Sequence, residues 1–240
     1  MDNLKDFQIE NGKLIKYLGK KSHVIIPNTV LSIENFAFKG CQQLKSIFIP
    51  ATVNFIGYYV VADCAFLEKI EVDKDNKTYY SNGSCIINKQ ERSLVVGCKN
   101  SVIPNDNTIL AIDKFAFSNC VALESIVIPN SVKQIRDYAF SGCYNLEKVV
   151  LPNSLNYIGE QAFEGCESLE SIVIPHSITC ISDKVFYECK NLTSVTAMDD
   201  LCSIGFNVFD GCNKNLVITT TKNSYALEYA TKNKIKVKIV

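Results

Sequence analysis

The sequence predicts an α/β solenoid built from a repeat of 23 residues. Three features carry this prediction: a proline, a phenylalanine and a cysteine each recur at that spacing. The positions are Pro129, Pro152 and Pro175; Phe117, Phe140, Phe163, Phe186 and Phe209; and Cys120, Cys143, Cys166, Cys189 and Cys212. A period of about 20–50 residues is typical of proteins whose units bury apolar side chains only against their neighbours. We therefore expect one elongated domain over residues 1–240, with about eight turns.

Each repeat contains a short run of β-formers that ends at the proline, as in Ser125, Ile126, Val127 and Ile128 before Pro129. One such strand per turn stacks into a parallel sheet whose neighbouring strands lie about 4.8 Å apart. Proline ends the strand because it has no N–H to donate. Since side chains alternate along a strand, Ile126 and Ile128 are expected in the core and Val127 on the outer face.

The second half of the repeat completes the predicted core. Its apolar positions are represented by Val132, Ile135, Phe140 and Leu146. Gly142, before the repeat cysteine, predicts a turn with positive φ. Asn119 suits that conformation at the equivalent position, whereas Glu188 does not.

Both ends and one internal segment depart from the repeat. Residues 1–22 predict a capping hairpin, because Asn11-Gly12 lies between apolar runs and both residues tolerate positive φ. Residues 23–216 carry the repeats, with a hairpin inserted at about residues 79–98. Residues 217–240 predict a C-terminal cap of one short helix and one strand. Caps are expected because an open strand edge recruits other strands.

Composition excludes several classes of function. Apolar residues make up 47% of the chain, and 25 basic residues balance 25 acidic ones, so there is no basic surplus for general nucleic-acid binding. No apolar run approaches the roughly 20 residues of a transmembrane helix. His23 and His176 fall several turns apart. We therefore predict no metal site, no Cys-His catalytic pair and no cofactor.

The eleven cysteines bear on the cellular compartment. Seven of them share one position of the repeat and are here called the column: Cys41, Cys64, Cys120, Cys143, Cys166, Cys189 and Cys212. A buried column of thiols is a liability in an oxidising compartment, where wrong pairs form during folding, and this favours a cytoplasmic protein. The alternative is a cell-surface or secreted protein whose signal sequence has been removed. Cys180 and Cys202 lie outside the column, on adjacent turns, and a disulfide between them is an open alternative.

The consensus L-x-x-I-x-I-P-x-S-V-x-x-I-x-x-x-A-F-x-G-C resembles the BspA-type, or treponemal, leucine-rich repeat. The resemblance covers roughly residues 24–216 and is specific, because Pro, Ala-Phe and Gly-Cys recur together at fixed offsets. It implies a right-handed, curved leucine-rich repeat solenoid with one parallel β-sheet on the concave face. Members of this family occur on the surfaces of host-associated bacteria and protists, and some act as adhesins. The family has no catalytic residues to carry over.

The outward strand positions form the first candidate surface, here called the apolar stripe. Its members are Phe48, Val127, Val150 and Val173. These side chains are apolar although they are expected to face solvent, and a contiguous exposed apolar patch marks a binding site. The alternative is that β-branched residues simply suit strands.

A second row, here called the glutamate row, runs beside the stripe. It consists of Glu124, Glu147 and Glu170 on consecutive turns. Carboxylates stacked about 5 Å apart repel one another, so their presence suggests a basic partner. The alternative is that long exposed side chains splay into water, which screens them.

Together these observations predict a non-catalytic protein–protein interaction scaffold. The concave sheet would bind a protein partner of unknown identity, with the apolar stripe in contact and the glutamate row adding polarity. The alternative is a cell-surface adhesin that binds a host matrix protein or glycan.

Overall fold

The chain folds into a β-solenoid of about ten turns in a computed structural model that describes residues 4–198 and 200–240. A short 3-10 turn, Leu4–Asp6, precedes the first strand. In chain order the remaining elements are β1 (Phe7–Glu10), β2 (Lys13–Tyr17), β3 (His23–Ile25), β4 (Ser32–Ile33), β5 (Ser46–Ile49), β6 (Phe55–Ile56), β7 (Lys69–Val72), β8 (Tyr79–Asn82), β9 (Cys85–Asn88), β10 (Ser93–Val96), β11 (Ala111–Ile112), β12 (Ser125–Val127), β13 (Gln134–Ile135), β14 (Lys148–Val150), β15 (Tyr157–Ile158), β16 (Ser171–Val173), β17 (Cys180–Ile181), β18 (Ser194–Thr196), β19 (Ser203–Ile204), β20 (Val217–Thr220), α1 (Tyr225–Lys232) and β21 (Lys236–Ile239).

The strands at the proline-ended runs form a parallel sheet, here called the long-strand sheet, which confirms the predicted stacking. Its hydrogen-bonded segments are β3-β5-β7, β12-β14 and β16-β18-β20-β21. Equivalent repeat positions pair, as Ile126 does with Val149. The turn count is about ten rather than the predicted eight. The two additional turns come from β20 and β21, which continue the sheet beyond the last complete repeat.

A second parallel ladder, here called the short-strand sheet, lies in the returning half of the repeat. Its two-residue strands pair as β4-β6, β11-β13-β15 and β17-β19. The N-terminal hairpin β1-β2 extends this sheet, because β2 pairs in parallel with β4. A strand of two residues is too short to show a period-2 hydrophobic alternation, so the sequence did not predict this ladder.

The repeat phenylalanines form a column of stacked rings inside the solenoid. The ring centroids of Phe117 and Phe140 are 5.0 Å apart, and those of Phe140 and Phe163 are 5.2 Å apart. The column continues through Phe186 and Phe209 with centroid distances of 5.8 Å. Such aromatic pairs add about 0.5–1.5 kcal/mol each beyond the area they bury. The repeat spacing therefore places each ring against its equivalent on the next turn.

The turn before the repeat cysteine has the predicted positive φ. The value is 72° at Gly142 and 55° at Asn119. Glu188 adopts the same conformation, with φ of 57°, although its side chain is poorly suited to it. Its N–H donates to the carbonyl oxygen of Asp210 at 2.8 Å, so the inter-turn hydrogen bond holds the backbone in place.

The internal insertion is a meander of three strands, β8, β9 and β10. Successive strands are antiparallel, and β10 then pairs in parallel with β11. The meander therefore becomes part of the short-strand sheet. Ile86 and Ile87 are adjacent in β9 and both buried, but they pack into two different core clusters. The insertion thus joins the N-terminal and C-terminal parts of the hydrophobic core.

The C-terminal end combines α1 with the strands β20 and β21. Ser224 caps the helix, since its side-chain oxygen accepts a hydrogen bond from the N–H of Leu227 at 3.1 Å. Ala226 and Ala230 bury the inner face of the helix against the core. Within residues 4–198 and 200–240, no helix has the length and apolar character needed to cross a membrane.

Candidate interaction surface

The long-strand sheet presents the apolar stripe to solvent. The exposed fraction of the side chain is 65% for Val127, 40% for Val150 and 64% for Val173. The alternate position, represented by Ile126, is buried. Phe48 is half-buried. The strand alternation inferred from the repeat therefore gives the correct face for each of these residues.

The structure brings only part of the stripe together. Val127 and Val150 are direct partners in the β12-β14 pair, and β14 lies beside β16, which carries Val173. Phe48 belongs to the separate β3-β5-β7 segment, where its partner is Glu71. The three valines thus share a surface to which Phe48 does not contribute directly.

Val102 is an exposed apolar residue that the sequence reasoning missed. Its exposed fraction is 71%, and Ile103 beside it is buried. Because Pro104 follows Ile103, Val102 occupies the same outward position as Val127 does before Pro129. Counting back from the proline would have identified it, but Pro104 lies 25 residues before Pro129 instead of 23, which obscured the alignment.

A groove of about 610 Å³ lies between residues 101–105 and β12. Val102, Val127 and Val150 line it, and the ends of the strands at Pro129 and Pro152 close one side. Its volume falls within the range of about 300–1,000 Å³ that is typical of ligand pockets. Val127 and Val150 of the apolar stripe therefore face the same groove as Val102.

The fourth turn, residues 101–123, is tied to the insertion at one side of the groove. The N–H of Val102 donates to the carbonyl oxygen of Gly83 at 2.8 Å. Gly83 has φ of 57°, and a Cβ there would lie 1.9 Å from the carbonyl oxygen of Val102, so only glycine permits this approach. On the other side of Val102, the described residues contain no backbone hydrogen bond between residues 101–105 and β12.

The glutamate row is exposed, as predicted. The N–H of Glu147 donates to the carbonyl oxygen of Glu124 at 2.8 Å, which places these two residues on hydrogen-bonded turns. Over the residues that the structure describes, none of Glu124, Glu147 and Glu170 forms a side-chain ion pair. Their carboxylates are therefore not held in ion pairs, and the exposed Lys148, which lies opposite Ser125 on β14, is the basic residue next to Glu147.

The column cysteines are structural thiols. The Sγ of Cys143 donates to the carbonyl oxygen of Phe117 at 3.0 Å, and Cys166 does the same to Phe140 at 3.3 Å. Burial raises the pKa of the Cys143 thiol to about 12. A thiol with such a pKa is a poor nucleophile at neutral pH. Cys180 and Cys202, outside the column, are exposed free thiols.

Neither histidine adjoins the groove. His23 Nδ1 lies 2.8 Å from Ser46 Oγ, and His176 Nδ1 contacts a carboxylate oxygen of Asp200. Across residues 4–198 and 200–240, no group of three His, Cys, Asp or Glu side chains has the geometry to hold a metal ion.

A solenoid of 23-residue turns with an exposed row of sheet residues defines a repeat scaffold. The model of the BspA type leucine rich repeat region matches this chain in six copies, over residues 11–90 and 96–237. The chain therefore belongs to the BspA-type leucine-rich repeat family, which confirms the resemblance seen in its consensus. No curated protein matches the chain.

Solved structures show the same fold. A leucine rich cell surface protein from Faecalibacterium prausnitzii is 29% identical with a TM-score of 0.71, and the match covers 85% of this chain and 54% of that protein. This chain thus spans about half the length of that protein. The Leucine Rich Repeat protein of T. pallidum is 26% identical with a TM-score of 0.53, covering 99% of this chain and 98% of the other. The pneumococcal vaccine antigen PcpA is 15% identical with a TM-score of 0.68, and the match covers 93% of this chain and 69% of PcpA. This match shows that the two proteins share a fold.

Proposed function

We propose that this chain is a non-catalytic scaffold that binds a protein partner through the outer face of the long-strand sheet. The observation that carries the proposal is the pairing of Val127 with Val150, two apolar side chains that remain exposed on neighbouring strands. Val173 on the adjacent strand extends the apolar area, and the glutamate row lies beside it. An apolar centre beside a charged row is the usual anatomy of a protein interface.

The energetics favour a protein partner that covers several turns. Apolar surface removed from water contributes about 25 cal/mol per Å², so three valines alone supply only a small part of a stable association. A specific interface buries roughly 1,200–2,000 Å² in total, which requires a surface that extends over many residues. The solenoid offers such a surface because every turn adds one outward position to the same sheet.

Replacement of Val150 and Val173 by lysine tests the proposal. The substitutions Val150→Lys and Val173→Lys leave the fold intact, because both side chains point to solvent, but they place charge in the centre of the stripe. The control is Gln134→Lys with Asn156→Lys, two exposed positions in or beside the short-strand sheet. Immobilised proteins are compared for partners captured from extracts. We expect capture by the native and control proteins and loss of capture by the stripe variant; equal capture by all three contradicts the proposal.

A second candidate function is that of a cell-surface adhesin for a host matrix protein or glycan. The similarity to a protein described as a leucine rich cell surface protein, at 29% identity over 85% of this chain, favours a surface or secreted location over the cytoplasm. Once the protein is folded, burial raises the pKa of Cys143, Cys166 and Cys189, and this slows their oxidation outside the cell.

The location is tested by labelling intact source cells with a membrane-impermeant alkylating reagent. Cys180 and Cys202 are exposed and serve as reporters, whereas Cys143, Cys166 and Cys189 of the column are buried. Labelling of both reporters before lysis supports the surface location. If these two thiols are labelled only after lysis, the cytoplasmic alternative is supported instead.

A further inference from the structure

The strand β12 has one paired edge and one open edge. Its paired edge faces β14, where the N–H of Ile128 donates to the carbonyl oxygen of Val150 at 3.0 Å and the carbonyl oxygen of Glu124 accepts from Glu147. In a strand the backbone groups of successive residues point to opposite neighbours. Ser125 and Val127 therefore direct their N–H and C=O groups away from β14, towards the groove.

The neighbour that would normally satisfy this edge is displaced. The strand-like segment at Val102 and Ile103 donates to Gly83 of the insertion, and the described residues show no backbone hydrogen bond from it to β12. The space between them is the groove of about 610 Å³. An open edge of a parallel sheet, with its hydrogen-bonding groups exposed, is a template for another extended segment.

We propose that this groove binds an extended basic peptide segment of a partner, which adds a strand to the open edge of β12. The inference rests on the proposed function, since it specifies the chemistry of the partner on the same surface. Main-chain hydrogen bonds to Ser125 and Val127 hold the peptide, in the manner of strand addition to a sheet edge. Apolar side chains at alternate peptide positions pack against Val102, Val127 and Val150.

Charge complementarity selects a basic peptide. Glu124 directly precedes the open strand, and Glu147 directly precedes its paired neighbour β14. Both carboxylates are exposed and have no ion-pair partner among the residues described. Side chains alternate along an added strand, so the residues between the outward apolar positions would face the core beside Ile126 and must also be apolar. Lysine or arginine residues that precede the strand-forming residues of a bound peptide would lie beside Glu124, and this charge also steers the encounter.

The probe is a fluorescein-labelled octapeptide of three lysines followed by alternating valine and alanine, amidated at its C-terminus and used at concentrations at which it is monomeric. Its binding is followed by fluorescence anisotropy. We expect saturable binding that weakens as salt is added, because the lysine–glutamate attraction is screened. The control is the same peptide with N-methyl groups on the alternate residues that face β12, which removes their backbone N–H donors. We expect this peptide to bind about tenfold more weakly. A peptide with glutamate in place of lysine is expected to bind more weakly still.

Hydrogen–deuterium exchange locates the bound peptide. Bound octapeptide should slow exchange at the amides of Ser125 and Val127, whereas the N-methylated peptide should not. The variant Val102→Lys with Val127→Lys should lose binding, and the control Gln134→Lys with Asn156→Lys should retain it. Equal binding of the N-methylated peptide, or unchanged exchange at Ser125 and Val127, overturns the strand-addition proposal.

The two proposals fail in different ways. If the octapeptide does not protect β12 but Val150→Lys with Val173→Lys still abolishes partner capture, only strand addition is wrong. If partner capture is unaffected by those substitutions, the interaction surface itself is wrong.

Discussion

The thiol of Cys143 donates a hydrogen bond to the carbonyl oxygen of Phe117 over a distance of 3.0 Å, although the two residues are 26 positions apart. The same relationship links other cysteines of the column to the phenylalanine of the preceding turn. The Sγ–O distances are 3.0 Å for Cys64–Phe38, 3.3 Å for Cys166–Phe140, 3.2 Å for Cys189–Phe163 and 3.1 Å for Cys212–Phe186. The repeat cysteine is thus a hydrogen-bond donor that joins successive turns, as well as a small buried side chain.

The first prediction concerns thiol reactivity in the native protein. Burial raises the pKa of Cys143 from its ordinary value of 9.0 to about 12, so the thiolate fraction at pH 8 falls by roughly a thousandfold. We expect iodoacetamide at pH 8 to modify Cys180 and Cys202 rapidly and the buried column thiols Cys143, Cys166 and Cys189 only after unfolding. Intact mass and peptide mapping over time measure this. Modification of Cys143 at the rate of Cys180 would show that the column is not shielded.

The second prediction concerns stability at alkaline pH. In the unfolded chain Cys143 loses its proton near pH 9, whereas in the folded protein burial holds its pKa at about 12. Above pH 9 the folded state therefore binds more protons than the unfolded state, and the free energy of unfolding falls as pH rises. One such group contributes at most about 1.4 kcal/mol per pH unit in this window. Urea unfolding at pH 7.5, 9.0 and 10.0 measures the decline.

The variant Cys143→Ala provides the control for this pH dependence. It removes one titrating thiol, so its stability should fall less steeply between pH 9 and 10 than that of the native protein. Identical slopes for the two proteins would contradict the assignment to Cys143.

The third prediction concerns the phenylalanine column. Phe140 is fully buried between two stacked rings. We expect Phe140→Ala to lower the free energy of unfolding by about 3–5 kcal/mol, because it leaves a cavity in the column. Tyr144→Ala is the control, since 46% of the Tyr144 side chain is exposed, and it should have a much smaller effect. Denaturant unfolding of both variants decides between a packed column and a loosely filled one.

The fourth prediction concerns the contact that ties the insertion to the fourth turn. Gly83 and Gly40 both have positive φ, of 57° and 73°, but only Gly83 lacks room for a Cβ. Gly40→Ala should therefore cost only the conformational strain of about 1–2 kcal/mol. Gly83→Ala adds a clash with the carbonyl oxygen of Val102 and should be clearly more destabilising. Unfolding experiments that find equal losses would show that the insertion is not held at Gly83.

Local periodicity accounts for much of what could be predicted. The position of Val127 between Ile126 and Ile128 is sufficient to place it outward, because strand side chains alternate. The short-strand sheet escaped prediction because a pair such as Gln134 and Ile135 contains no alternation to detect. The outward position of Val102 could have been predicted, because Val102 precedes Pro104 by two residues as Val127 precedes Pro129. The irregular spacing of this turn hid that equivalence.

By itself, the sequence determined the repeating core. Residues 23 positions apart, such as Phe140 and Phe163, stack because identical turns place equivalent side chains one above the other. Only the tertiary structure decided where the long-strand sheet is open and which exposed residues share a surface. At the groove, the N–H of Val102 donates to Gly83, and this hydrogen bond joins the fourth turn to the insertion instead of to β12. A backbone contact of this kind requires a glycine, but the glycine does not reveal which distant backbone group is its partner.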